Sequence, residues 1–180
     1  MKHLLLVLAL ALPSLSHAQA AKAPAPAPTL KSILLEQLKT THNKADWFVP
    51  ANTAVKGLTP EQASWTDGKG NHSVGQLTNH LVFWNARQLA TFKGETNPKF
   101  DGNNDETFNK FDNKNWPATV QRLDDVMTEM EALVEKATDK QLAEWAPAIA
   151  HVSTHNAYHI GQIVYVRKLQ GSWNPKEGVQ

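Results

Sequence analysis

Four stretches of this chain repeat their apolar residues at helical spacing, and none alternates with period two for long enough to make a strand. Helices packed on helices are then the way to bury a core. The first stretch runs from Leu30 to Trp47, with Leu30, Ile33, Leu34, Leu38 and Ala45 on one face. The second is predicted over Val74 to Lys93, ending before Gly94, with Val74, Leu77, Leu81, Trp84 and Phe92 turned inward. The third covers Trp116 to Ala137 and buries Val120, Leu123, Met127, Met130 and Val134. The fourth begins at Pro147 and ends at Leu169, with Gly171 as its cap. Ser73-Val74-Gly75-Gln76 is a capping-box pattern that opens the second helix, and Thr59-Pro60-Glu61-Gln62 opens one short turn. Another short turn is expected over Asp139 to Trp145. The expected fold is all-α: a four-helix bundle, antiparallel or with a crossover connection.

Two connections are long. Residues 48–72 contain the short capped turn, and residues 94–115 are rich in Asn and Asp. Connections of that length in a small domain are often binding loops or solvated crossovers. Asp101, Asn103 and Asp105 resemble the start of a calcium loop, but Glu106 stands where that loop requires glycine and Asp112 where it requires glutamate.

Residues 1–20 read as a secretory leader. Lys2 supplies the positive start, Leu4 to Leu12 is too short to span a bilayer, and Ala18-Gln19-Ala20 has the small-x-small form of a cleavage site. A periplasmic or secreted location follows as an expectation. Residues 21–29 form an Ala-Pro tether, residues 30–171 the bundle, and residues 172–180 a C-terminal tail. The absence of cysteine rules out disulfides, thiolate ligands and a cysteine nucleophile. The chain carries 18 basic and 17 acidic residues, and losing Lys2 with the leader makes it formally neutral. That balance points to neither nucleic acid nor an anionic membrane surface as partner.

The chemistry lies in the histidines. His155 and His159 are spaced i,i+4, so on a helix both rings face one side. At ~100° per residue, His159 falls within the apolar arc of the fourth helix and His155 sits ~40° away, while His151 lies ~80° off toward the polar side. His80, ~40° from Trp84, stands at the margin of the second helix's buried stripe. Buried imidazoles need partners for their nitrogens, and one divalent ion would satisfy all three. Three protein ligands with open positions is the arrangement of catalytic centres. The all-nitrogen donor set leaves nickel, zinc, iron, manganese and cobalt open. Gln162, one turn beyond His159, is a candidate to orient a ligand ring or a bound water. His42 is expected to be exposed, and His72 to be a loop residue. Trp47, Trp65, Trp84 and Trp116 are candidates for a pocket wall or for the core.

Several chemistries are excluded by their missing residues. His155-Asn156-Ala157-Tyr158-His159 has asparagine where the zinc-protease motif needs its glutamate base. The Glu-x-x-His signature of di-iron bundles is absent. So are phosphate-binding and dinucleotide-binding loops and the G-x-S-x-G elbow. No carboxylate pairs obviously with the histidines; Glu61 and Glu106 are the loop candidates for a proton acceptor.

Leu58-Thr59-Pro60-Glu61-Gln62 with Trp65, then His72-Ser73-Val74-Gly75-Gln76-Leu77 leading to His80, and His155-x3-His159 followed by Gly161-Gln162 together resemble the DinB/YfiT-like superfamily over about residues 30–170. The family ending is close to H-x-x-x-H-R-G-Q; here Ile160 replaces the arginine. The resemblance implies a four-helix bundle with a crossover connection, often a homodimer. It also implies one divalent ion, commonly nickel or zinc, on His80, His155 and His159. Relatives of this kind include thiol-dependent transferases, isomerases and proteins described as metal-dependent hydrolases. The expectation is an exported metal-binding protein that hydrolyses a small-molecule substrate. A non-catalytic metal- or ligand-binding bundle and a thiol-dependent transferase are the alternatives.

Overall fold

The computed structural model describes residues 26–178. The leader expected over 1–20, the start of the 21–29 tether and the end of the tail lie outside the described residues. Within them the chain forms seven α-helices: α1 (Leu30–His42), α2 (Ala51–Val55), α3 (Pro60–Ser64), α4 (Val74–Lys93), α5 (Glu106–Asn109), α6 (Trp116–Lys136) and α7 (Asp139–Gln170). Two 3-10 turns, Asn113–Asn115 and Pro175–Glu177, complete it, and there is no strand among the described residues. No helix of the described residues is long and apolar enough to cross a membrane.

The four long helices make the bundle. α1 and α4 each pack on both α6 and α7, so α1 and α4 face each other across a diagonal, as do α6 and α7. The segments 43–73 and 94–115 make the long connections. The core is built from Leu34 and Leu38 of α1, Leu77 and Leu81 of α4, Leu123, Met127 and Met130 of α6, and Ile149, Ile160 and Ile163 of α7.

Local signals set the ends of α4. Ser73 Oγ accepts from the Gln76 backbone N–H, and the Gln76 side chain accepts from the Ser73 N–H, as the capping box predicts. Gly94 terminates the helix at φ 72°, a left-handed conformation that costs other residues a steric penalty. Gly75 serves a different purpose. A Cβ there would overlap the ring of Phe111, which lies against the first turn of α4.

Two expectations need correction, and the structure adds one helix, α2. α1 ends at His42 instead of reaching Trp47, and Leu30, Ile33 and Ala45 are exposed. Its buried face is Leu34, Leu35, Leu38, Thr41 and His42, because the last turn is drawn onto α6. The expected break near Pro147 does not occur, and α7 is continuous from Asp139 to Gln170. A proline there removes one bond to the Ala143 carbonyl. Both Ala143 and Pro147 are exposed, so water can serve that carbonyl, while Leu142 and Ile149 anchor the helix on either side. Finally, α2 carries no strong periodic signal yet is buried through Ala51, Ala54 and Val55. The buried Arg167 guanidinium donates to the Ala54 carbonyl at 2.7 Å and to the Ser172 carbonyl at 2.9 Å, tying α2 and the start of the tail to α7.

Candidate metal centre

α4 carries His80 to the α7 face, where His155 and His159 project one turn apart. His80 and His159 are buried, and His155 is partly exposed. One ring nitrogen from each lies within 4.8 Å of the others. Nε2 of His80 is 3.0 Å from Nε2 of His155. The three rings that the sequence singles out are thus brought together from segments 75 residues apart.

The outer nitrogens show how the inner ones are presented. The Thr107 hydroxyl donates to the Asn104 carbonyl at 2.6 Å, so its oxygen accepts from His80 Nδ1–H at 2.6 Å. His80 Nε2 is left as a bare lone pair. Gln162 Oε1 has no proton to give, and it accepts from His159 Nδ1–H at 2.6 Å. His159 Nε2 is therefore also a lone pair. Gln162, the candidate to orient a ligand ring, bonds His159, and Thr107 is a partner of His80 that sequence reasoning missed.

Such a cluster is poorly satisfied by protons alone. A proton on His155 Nε2 can serve His80 Nε2, but His159 Nε2 then has no protein donor among the described residues. A cation serves all three. Ligand nitrogens ~2.0–2.1 Å from a metal lie roughly 3 Å from one another, which matches the closest pair here. The donor set is three neutral imidazoles, two of them held at the outer nitrogen by Thr107 and Gln162, and it fits a divalent ion. Burial, reinforced by the charges of His159, His155 and His72, pushes the His80 pKa down to about 3. Burial, then the charge of His159, brings His155 down to about 4. Burial also lowers His159, against the opposing bond to Gln162. All three are neutral near pH 7, the form that ligates.

The rings open onto a cleft of about 500 Å³ walled by Trp84, Phe108 and Val152. Asn104, Gln88 and the exposed His151 supply its polar edge. Phe108, from the long 94–115 connection, lies flat against His80 with ring centres 3.9 Å apart. Its other face stacks on His72 at 4.0 Å, so His72 is in a loop as expected but supports the wall. No carboxylate of the described residues lines the cleft. Glu106 pairs with Lys110 at 2.8 Å, and Glu61 is exposed at the start of α3. Of the four tryptophans singled out, Trp84 lines this cleft, Trp65 lines a separate cavity, Trp116 is buried, and Trp47 is 91% exposed.

His42 departs most from expectation. It is buried, not exposed, with Nδ1 2.6 Å from Glu131 and Nε2 2.8 Å from Asp124, both on α6. Asn52 of α2 donates to the same Asp124 oxygen at 2.5 Å. Burial works to lower the His42 pKa, but the bonds and charges of Glu131 and Asp124 outweigh it and raise it. The two carboxylates occupy opposite ring nitrogens, so they clamp the ring and form no convergent ligand set.

Compared with known families, residues 51–163 match the model of the DinB superfamily, a span that includes all three histidines. Compared with the curated proteins and with the solved structures, the chain finds no match.

Proposed function

The chain belongs to the DinB superfamily, and from that premise we propose that His80, His155 and His159 hold one divalent ion, nickel or zinc, with Gln162 orienting His159. The reading rests on one observation: the Nε2 lone pairs of His80 and His159 converge with His155 while Thr107 and Gln162 take the protons on the far side of the rings. On this reading the protein is a metal-dependent hydrolase of a small molecule, exported to the periplasm or beyond and working alone or as a homodimer.

A bound divalent ion would supply Lewis acidity and activate water at neutral pH. The chain's own residues do the rest. Trp84 and Phe108 provide apolar walls that would hold the body of a substrate, and Asn104 and Gln88 offer hydrogen bonds at its edge. His151 is the titratable side chain in the lining apart from the three ligands, and it stands where a proton can be passed to solvent.

A second reading, a binding protein without catalysis, is favoured by the lack of a carboxylate in that lining. Metal content and turnover separate the two. Purified protein should carry close to one ion per chain, and His155→Ala should lose it while keeping its helical spectrum. Hydrolysis of an ester or amide panel that disappears in this variant supports the enzyme. Bound ion without turnover supports the binder, and turnover that requires an added thiol supports a thiol-dependent transferase. A metal-free protein that takes up no added nickel or zinc rejects the centre itself.

A further inference from the structure

A second cavity, of about 260 Å³, lies behind the candidate metal centre. Two pairs of side chains form the partition. Gln162 lines the second cavity and bonds His159, which lines the cleft. His72 lines the second cavity and stacks on Phe108, which lines the cleft. The space is thus a separate compartment with a shared wall.

Its chemistry is distinct. Leu77 and Val166 are part of its aliphatic lining, and Trp65 and Tyr165 are its tryptophan and tyrosine. Among the described residues Asp67 is the only carboxylate of the lining, and neither lysine nor arginine is part of it. The Lys69 backbone N–H at 3.0 Å and Asn71 Nδ2 at 2.6 Å each hold one Asp67 oxygen. Those bonds keep the carboxyl below its usual pKa, with a smaller contribution from the exposed Lys69 ammonium. Each oxygen keeps a second lone pair. A loop-held carboxylate that shares one cavity lining with Trp, Tyr and aliphatic side chains suits a positively charged head on an apolar body.

We propose that this cavity is a binding site for a small organic cation, an ammonium carried on an aromatic or short aliphatic group. Asp67 takes the charge, Trp65 and Tyr165 flank the head, and Leu77 and Val166 receive the apolar part. The site is independent of whether the three histidines bind a metal.

Benzyltrimethylammonium is the probe, with benzyl alcohol and benzoate as its neutral and anionic counterparts. Titration calorimetry on the full chain should show saturable binding of the cation, with the other two weaker by about tenfold or more. Asp67→Asn removes the charge while its remaining oxygen can still accept from the Lys69 N–H; it should weaken the cation about fivefold or more, as should Trp65→Leu. His155→Ala should leave its affinity unchanged, which separates this site from the metal centre. In NMR spectra the Trp65 indole N–H should move on titration while that of Trp84 stays in place. Absence of saturable binding at millimolar cation, equal binding of the three probes, indifference to Asp67→Asn, or shifts centred on Trp84 and lost in His155→Ala would each overturn the assignment.

Discussion

Asn85 of α4 and Asn156 of α7 exchange hydrogen bonds across the bundle core: Asn85 Nδ2 donates to Asn156 Oδ1 at 2.8 Å, and Asn156 Nδ2 returns one to Asn85 Oδ1 at 3.1 Å. Asn85 also donates to the Leu81 carbonyl, and both side chains are buried. Asn156 is the residue beside His155 that stands in place of a protease glutamate. Its position in the core explains why: it serves the α4–α7 contact and faces no cleft. A reciprocal amide pair has one register in which both partners are satisfied, and that register sets His80 opposite His155.

Replacing one member strands the other. Asn156→Leu or Asn85→Leu alone should cost about 1–3 kcal/mol in urea unfolding, because a buried amide loses its partner. The double leucine variant should recover much of that loss, since no polar group is left stranded. Its nickel or zinc affinity should still fall, since leucines pack in more than one register. A double variant with unchanged affinity would show that packing alone aligns the two helices.

Thr107 and Gln162 offer a cleaner test of the metal centre than the ligands themselves. Thr107→Val and Gln162→Leu each remove the acceptor that fixes a ring's orientation and tautomer. Metal affinity should drop about 10–100-fold in either variant, with the fold retained. Competition with a chelator of known affinity measures it, and the circular dichroism spectrum checks the fold.

Acidification should act on the two histidine groups in opposite senses. In metal-free protein His80 and His155 titrate at about 3 and about 4, below the ~6.5 of an unfolded histidine. The unfolded chain takes up protons first, so their neutrality stabilises the fold above pH ~6.5 and this is lost as pH falls toward 4. His42 is raised instead. Its clamp between Glu131 and Asp124 contributes fully below pH ~6.5 and fades as pH rises through its folded value. Unfolding of wild type and His42→Gln across pH 5 to 9 should show their difference shrinking toward high pH. A constant difference would mean that the clamp leaves the ring's pKa at its unfolded value.

Gly75 should resist substitution. A methyl group there meets the Phe111 ring, so Gly75→Ala must push that ring off the start of α4. Overpacking of this kind costs about 1–3 kcal/mol, although alanine is otherwise the better helix former. Thermal unfolding of Gly75→Ala measures the sign. Pairing it with Phe111→Leu should return part of the loss.

What the sequence made readable was local. The box at Ser73 and Gln76 with Gly94 set both ends of α4, and the i,i+4 spacing of His155 and His159 put two rings on one face. Their angular relation to the apolar stripes was enough to pair them with His80. The misreadings were all of long range. His42 looked polar and surplus because its carboxylates lie on α6, 82 and 89 residues away. Thr107 gave no signal, since what it does depends on a loop folding back over α4. Pro147 was over-weighted, because the burial of Leu142 and Ile149 on either side outweighs one missing bond.

The separation of His80 from His155 by 75 residues bears on when a metal could be acquired. No fragment short of the closed bundle holds all three rings, so a nascent or extended polypeptide offers at most the weak His155–His159 pair. If the chain is threaded across a membrane before folding, it arrives empty, and the ion it takes is chosen by the supply of the compartment where α7 finally docks.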